Sequence, residues 1–152
     1  MEPTDQPLIV RSPTSPDEWE AYFDLRWRIL RRPWGQQRGS ERDSMDGSAF
    51  HLLLLDPARK ALACGRLHFT APDEVQVRFI TVDEDMRGRG YGSRILEGLE
   101  AEATRRGALN AHDTVTEFYA KHDYEVVGEA ETLFGTIRHL RMEKSLSQES
   151  FK

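Results

Sequence analysis

Hydrophobic positions change period several times along the chain, and each change marks an element. Leu8-Ile9-Val10 is a short apolar run that reads as a first strand. Behind it Trp19, Tyr22, Phe23, Arg26, Ile29 and Leu30 recur at i, i+3, i+4, i+7, i+10 and i+11, one buried stripe of a helix. Ser15-Pro16-Asp17-Glu18 starts that helix, with Ser15 as N-cap, proline at the first position and Glu18 closing a capping box. Pro33 stops it, because the residue before a proline is pushed out of the helical region. From Arg32 to Ser48 the chain is polar, contains glycine and has no period, and a loop of that length is usually functional or disordered.

Strand patterning follows. Phe50 to Leu55 is a near-continuous apolar strand, Asp56-Pro57-Ala58-Arg59 turns it, and Ala61 to Phe69 returns as its hairpin partner. Pro72-Asp73 makes the next turn and Val75 to Val82 the following strand. An acidic turn, Asp83-Glu84-Asp85, leads into the hinge Arg87-Gly88-Arg89-Gly90-Tyr91-Gly92. Ile95, Leu96, Leu99 and Ala103 then recur at helical spacing until Arg105-Arg106-Gly107. Ala108 to Ala111 reads as a short strand, and Thr114 to Glu117 is a second capping box opening a short helix with Val115, Phe118 and Tyr119. Tyr124 to Gly128 and Ile137 to Met142 read as a closing pair of strands, and the tail from Ser145 is polar and frayed.

A strand that enters a helix through glycines leaves the first helical N–H groups without internal partners. Those donors and the positive end of the helix dipole make an anion site, and missing side chains let a phosphate approach. Arg87 and Arg89 add charge beside it. The hinge is therefore a pyrophosphate cradle in outline. It lacks the Gly-Lys-Ser/Thr ending of the Walker pattern, and its glycines fall late in the chain rather than opening a first βαβ unit.

Composition narrows the classes. The chain has 152 residues, suited to one domain spanning 1–152, with residues 1–6 and 146–152 expected to be flexible. No apolar run approaches the roughly 20 residues that span a bilayer, and the acidic, proline-rich N-terminus is unlike a targeting signal. A net charge of −5 argues against general nucleic-acid binding. The single Cys64 cannot form an internal disulfide, which points to the cytoplasm, and its apolar surroundings mark a buried structural thiol. With no Cys/His cluster at ligand spacing, no metal site is expected.

The string R-x-x-G-x-G, as Arg87-Gly88-Arg89-Gly90-Tyr91-Gly92 after Ile80-Thr81-Val82 and before an amphipathic helix, resembles the acetyl-CoA-binding core of the GCN5-related N-acetyltransferases. Phe118-Tyr119-Ala120-Lys121-His122-Asp123-Tyr124 resembles the family's F-Y-x-K-x-G-F segment. The resemblance implies an α+β fold, a mixed and mostly antiparallel sheet flanked by helices in three layers. It implies acetyl-CoA as cofactor, held by Phe79, Ile80, Thr81, Val82, by Arg87 to Gly92 with Ser93, and by Asn110. It implies Tyr119 as the acid that protonates the leaving thiolate, a role suited to a phenol of pKa near 10. Asp123 stands where the family has glycine, and aspartate tolerates a left-handed turn better than most residues. Leu25 to Leu30 followed by Gly39 to Asp43 also looks like the acetyltransferase half of bacterial proteins that fuse this domain to a thioesterase-like one.

The acceptor is read as an amine on a small molecule or peptide, taken by the loop after the first helix, with Trp34, Arg42 and Arg78 as its contacts. Arg78 interrupts an apolar strand, so it either pairs structurally or reads a carboxylate. No base is assigned: Gln76 occupies the strand position of the carboxylate used by some relatives, and Glu41, Asp43, His51, His68 and His112 remain alternatives. Rival readings are a non-catalytic CoA-binding module, an acyltransferase for longer thioesters or acyl-carrier protein, and a nucleotide-binding anion module. A monomer and a homodimer both suit the sequence.

Overall fold

The computed structural model describes residues 7–113, 122–133 and 137–146. Strands β1 (Ile9–Arg11), β2 (Phe50–Leu55), β3 (Ala61–Ala71), β4 (Glu74–Val82), β5 (Asn110–Asp113), β6 (Glu125–Leu133) and β7 (Ile137–Ser145) form a seven-stranded sheet in the order β1-β2-β3-β4-β5-β7-β6. β4 and β5 run parallel, while β1–β2, β5–β7 and β6–β7 run antiparallel. Two α-helices among the described residues, α1 (Pro16–Leu30) and α2 (Tyr91–Arg105), complete an α+β architecture of the expected kind. The chain falls into two compact units. One holds the residues up to Arg66 with Phe79–Leu99, the other Leu67–Arg78 with the residues from Glu100 onward.

In the first unit α1 starts where the sequence places it. The Ser15 side chain accepts from the Glu18 amide at 3.2 Å. The return half of the capping box goes one residue further back, since Glu18 accepts from the Thr14 amide at 3.0 Å. Glu18 also takes both terminal nitrogens of Arg11 at 2.5 and 2.9 Å. That guanidinium first, and the Thr14 amide second, hold the Glu18 carboxyl down at about 2.

Tyr22 and Leu25 are fully buried against Leu53, Leu55, Ala61 and Cys64, with Trp19, Phe23 and Ile29 partly buried around them. Successive residues of a strand face opposite ways, and the next layer follows from that. A Cβ added at Gly65 would lie 2.8 Å from Ile95 and 3.2 Å from Leu99, and one at Gly98 would lie 2.7 Å from Leu52. Helix α2 therefore seats on the face that Leu52 and Gly65 present, opposite Leu53 and Cys64. A sheet covered on both faces has continuous apolar strands rather than alternating ones, which is how β2 reads.

In the second unit β5 is anchored at its start: the amides of Leu109 and Asn110 both donate to the Asp73 carbonyl, at 2.7 and 3.1 Å. Glu100 collects the Tyr124 hydroxyl at 3.0 Å and the Lys144 ammonium at 3.0 Å. Asp123 adopts φ 70°, the left-handed conformation that aspartate tolerates better than most residues.

Several expected boundaries shift. β3 continues to Ala71, β5 runs over Asn110–Asp113 rather than Ala108 to Ala111, and β6 and β7 extend to Leu133 and Ser145. Antiparallel pairing of β5 with β7 and of β6 with β7 carries those strands past the point where apolar patterning fades. The tail is ordered further than expected: Ser145 lies in β7, and Leu146 is buried and donates its amide to the Leu109 carbonyl at 2.8 Å.

Candidate active site

The hinge is built from the strand outward. β4 ends at Val82, and the Asp83 amide donates to the Leu62 carbonyl at 2.9 Å. The Asp83 side chain accepts from the Asp85 amide at 2.9 Å, capping the 3₁₀ turn Glu84–Met86. Burial alone would raise the Asp83 carboxyl, but that amide and the Arg28 guanidinium outweigh it and hold it below its ordinary value. Gly88 and Gly90 both take φ 80°. A side chain there would find open space yet a strained backbone. The Gly90 carbonyl accepts the first helical bond of α2, from the Arg94 amide at 3.1 Å, and the first turn of α2 carries no acidic residue. Arg87 and Arg89 are exposed, and neither is paired with a carboxylate among the described residues. These are the conditions a polyanion needs.

Before the hinge, β4 is distorted at one position. Phe79 adopts φ 60°, a genuine outlier for a bulky residue, which persists only where surroundings over-determine it. Local contacts do so. The Thr81 hydroxyl donates to the Phe79 carbonyl at 2.7 Å. The guanidiniums of Arg26 and Arg66, both without solvent exposure, lie 4.4 and 4.8 Å from the ring centre, with Arg31 at 5.8 Å. The ladder to β5 involves Glu74, Val75 and Gln76, and Phe79 to Val82 extend beyond it along β4.

The stretch from Arg32 to Ser48 is ordered by charge. A 3₁₀ turn spans Arg32–Trp34, and Gly35 then turns with φ 70°. Asp43 takes two terminal nitrogens of Arg66 at 2.5 and 2.9 Å, and Asp46 takes Arg66 at 2.6 Å and Arg26 at 3.0 Å. Burial pushes the Asp46 carboxyl up, but Arg26, the Asp43 amide and Arg66 pull it down further, so it stays charged. One directed chain runs through the cluster. The His51 Nε2 faces the Asp46 carbonyl at 2.8 Å, which only accepts, so Nε2 carries the proton. Nδ1 then accepts from the Tyr22 hydroxyl at 2.7 Å, which shares its single proton with the Gly65 carbonyl at 3.1 Å, and the Tyr22 oxygen accepts from Arg26 at 2.9 Å. Burial, ahead of the nearby charges, lowers the His51 pKa and keeps the ring neutral. Beside this cluster lies a cleft of about 450 Å³. Trp19 and Phe23 of α1, Arg42, Asp43 and Asp46 of the loop, and Phe50 and His51 of β2 line it.

Comparison with known proteins identifies the chain. A model of the GNAT acetyltransferase domain matches residues 36–146. The chain belongs to the GNAT acetyltransferases. An uncharacterized N-acetyltransferase, YjcF of Bacillus subtilis, is 32% identical over 126 residues, covering 80% of this chain and 89% of that protein. Among solved structures, an aminoglycoside 6'-N-acetyltransferase complexed with coenzyme A superposes with a TM-score of 0.75 at 16% identity, covering 91% of this chain and 97% of that one. A GNAT acetyltransferase from Elizabethkingia anophelis with acetyl-CoA bound superposes with a TM-score of 0.74 at 13% identity, covering 91% and 98%.

As a GNAT chain the protein is an acetyltransferase, and the residues expected to serve it are distributed as follows. Phe79 to Val82, Arg87 to Gly92 and Ser93 share the first unit with the cleft. Of the expected acceptor contacts, Arg42 lines the cleft, Trp34 is exposed on its 3₁₀ turn, and Arg78 is half-buried on β4 in the second unit. Asn110 opens β5 in that same unit, where its side chain accepts from the Ser145 hydroxyl at 3.4 Å. Tyr119, the expected acid, and the helix expected around it lie outside the described residues. Four of the five alternative bases are engaged structurally: Glu41 with Arg42 and the Gly39 amide, Asp43 with Arg66, His51 with Tyr22, and His112 with Glu74 at 3.2 Å; the fifth, His68, is buried. Arg66 escaped the sequence reading, although a charge inside the apolar run Ala61 to Phe69 is the same signal that singled out Arg78. Among the described residues no cluster of His, Cys, Asp and Glu could hold a metal, and no helix is long and apolar enough to cross a membrane.

Proposed function

We propose that this acetyltransferase uses acetyl-CoA and passes its acetyl group directly to an amine on a small molecule or peptide. The observation that carries the reading is the hinge: two glycines in left-handed conformation with open space about them, two arginines without a carboxylate partner among the described residues, and a helix first turn free of acidic residues. Gly88 to Ser93 with Arg87 and Arg89 would hold the pyrophosphate, and the backbone of Phe79 to Val82 would hold the pantetheine arm, with Asn110 as a further contact. Bound acetyl-CoA supplies an activated thioester. The amine nitrogen attacks its carbonyl carbon, the C–S bond breaks, the thiolate takes a proton, and the ammonium loses one. Tyr119 is assigned as the proton donor to sulfur. No side chain is assigned as base, consistent with the structural engagement of the candidates above. The lone buried Cys64, whose thiol burial pushes up to about 11, suits a reducing cytoplasm.

Isothermal titration with acetyl-CoA, CoA and ATP tests the cofactor. Binding of both CoA forms without ATP is expected, and Gly90→Glu, which places bulk and negative charge in the cradle, should abolish it. ATP preference, or retained micromolar affinity in the variant, overturns the assignment. Tyr119→Phe should lower turnover far more than CoA affinity, and unchanged turnover removes Tyr119 from the mechanism.

A further inference from the structure

The cleft beside α1 looks at first like an amine site, since two carboxylates and a histidine line it. Its hydrogen bonds argue otherwise. Asp46 accepts four bonds, two from Arg26, one from Arg66 and one from the Asp43 amide, which fills a carboxylate's usual capacity. Asp43 faces both terminal nitrogens of Arg66 and the Met45 amide. His51 has both ring nitrogens bonded, and the Ser12 hydroxyl donates to the His51 carbonyl at 2.6 Å. Arg26 and Arg66 balance Asp46 and Asp43 in charge, so this wall neither needs nor favours a cation.

Arg42 is the exception. It lines the cleft and donates only Nε, to Glu41 at 3.0 Å; its two terminal nitrogens have no partner among the described residues. The guanidinium lies 4.0 Å over the Phe23 ring, which itself stacks on Trp19 at 5.8 Å and 22°. The two terminal nitrogens of a guanidinium present paired N–H groups that match a planar carboxylate. The remaining floor, Trp19, Phe50 and Ala49, is apolar, and a volume of about 450 Å³ suits a small organic molecule.

We propose that this cleft binds a small carboxylate with an aromatic or branched apolar body, gripped through the terminal nitrogens of Arg42. The site stands independently of acetyl transfer, because it is defined without the hinge. Its test therefore uses no CoA. The protein is titrated calorimetrically with 3-phenylpropanoate, 3-phenylpropanamide, phenethylamine and phenyl phosphate. The carboxylate should bind roughly tenfold tighter than its amide, about 1.4 kcal/mol. Arg42→Gln should erase that difference while the amide's affinity stays the same. Ala49→Trp, which fills the cleft and leaves Arg42 intact, should weaken carboxylate and amide alike. Equal affinity for carboxylate and amide, a preference for phenethylamine or phenyl phosphate, or no binding of the carboxylate at millimolar concentration overturns the proposal. So does an Ala49→Trp protein of native circular dichroism that binds unchanged.

Discussion

The Arg26 guanidinium carbon lies 4.4 Å from the centre of the Phe79 ring while its Nη1 holds Asp46 at 3.0 Å. One buried cation thus joins the distorted residue of β4 to the loop that follows α1. Removing one partner of a buried pair leaves an uncompensated charge and costs roughly 3–5 kcal/mol. Arg26→Met should therefore lower the urea-unfolding free energy by that order. Arg26→Met with Asp46→Asn should recover part of the loss, giving a coupling energy of the opposite sign to the single losses. Additive losses would mean that Arg66 alone satisfies Asp46.

The neutral, buried His51 makes stability depend on pH. Its folded pKa is lowered from the ordinary 6.5, so below that value the unfolded chain binds the extra proton and the folded chain resists it. Stability is fully present above about 6.5 and falls as pH drops through 6.5 toward the lowered value. His51→Gln should be less stable at pH 8, having lost its bonds to Tyr22 and Asp46, yet should show a flatter stability profile between pH 8 and 5. Parallel profiles in urea titrations of the two proteins would exclude His51 as the titrating group.

How far the chain could be read depended on whether a signal was local. The hinge was legible because Gly88, Gly90 and the helix start are neighbours in sequence, and each has a conformational reason to be where it is. α1 was legible through Ser15, Pro16 and Glu18, and the strands through continuous apolar runs. The loop was not. Asp43 and Asp46 meet Arg66 across 23 and 20 residues, and no periodicity encodes such a pairing. The left-handed Phe79 was equally hidden, since sequence alone would reserve that conformation for glycine or asparagine. The cleft depends on that loop, whose Arg42, Asp43 and Asp46 line it.

Gly65 and Gly98 carry a prediction that differs in kind from the hinge glycines. Neither is held at positive φ. A Cβ at Gly65 would meet Ile95 at 2.8 Å, Ile80 at 3.1 Å and Leu99 at 3.2 Å, three side chains in one packed layer. At Gly98 the single neighbour within 4 Å is the end of Leu52, at 2.7 Å, which can rotate aside. Overpacking typically costs about 1–3 kcal/mol, whereas alanine replacing glycine inside a helix gains roughly 0.5–1 kcal/mol. Gly65→Ala should therefore destabilise clearly and Gly98→Ala much less. Equal thermal shifts in the two variants would contradict the close seating of α2 on Gly65.

Arg28 connects α1 to the turn that enters the hinge. Its Nη1 lies 3.0 Å from both oxygens of Glu84, its Nη2 3.3 Å from the buried Asp83, and its Nε 2.9 Å from Asp24, which in turn takes Arg38 at 2.8 Å. Exposed ion pairs contribute about 0.2–1 kcal/mol, but Asp83 is nearly inaccessible, so losing Arg28 leaves a buried carboxylate with the capping bond from the Asp85 amide and the charge of Lys60. The turn then no longer fixes where Arg87 and Gly88 begin. On the acetyl-CoA reading, Arg28→Ala should weaken acetyl-CoA binding by a few-fold with kcat nearly unchanged, because the variant disturbs the cradle and not the reacting atoms. Arg28→Lys should restore part of the affinity, since a single ammonium can reach Asp83 or Glu84 but cannot bridge Asp24 as well. If Arg28→Ala binds acetyl-CoA as the unaltered protein does, the ion-pair network braces α1 alone and the hinge is positioned by its own glycines and by the Asp83–Leu62 bond.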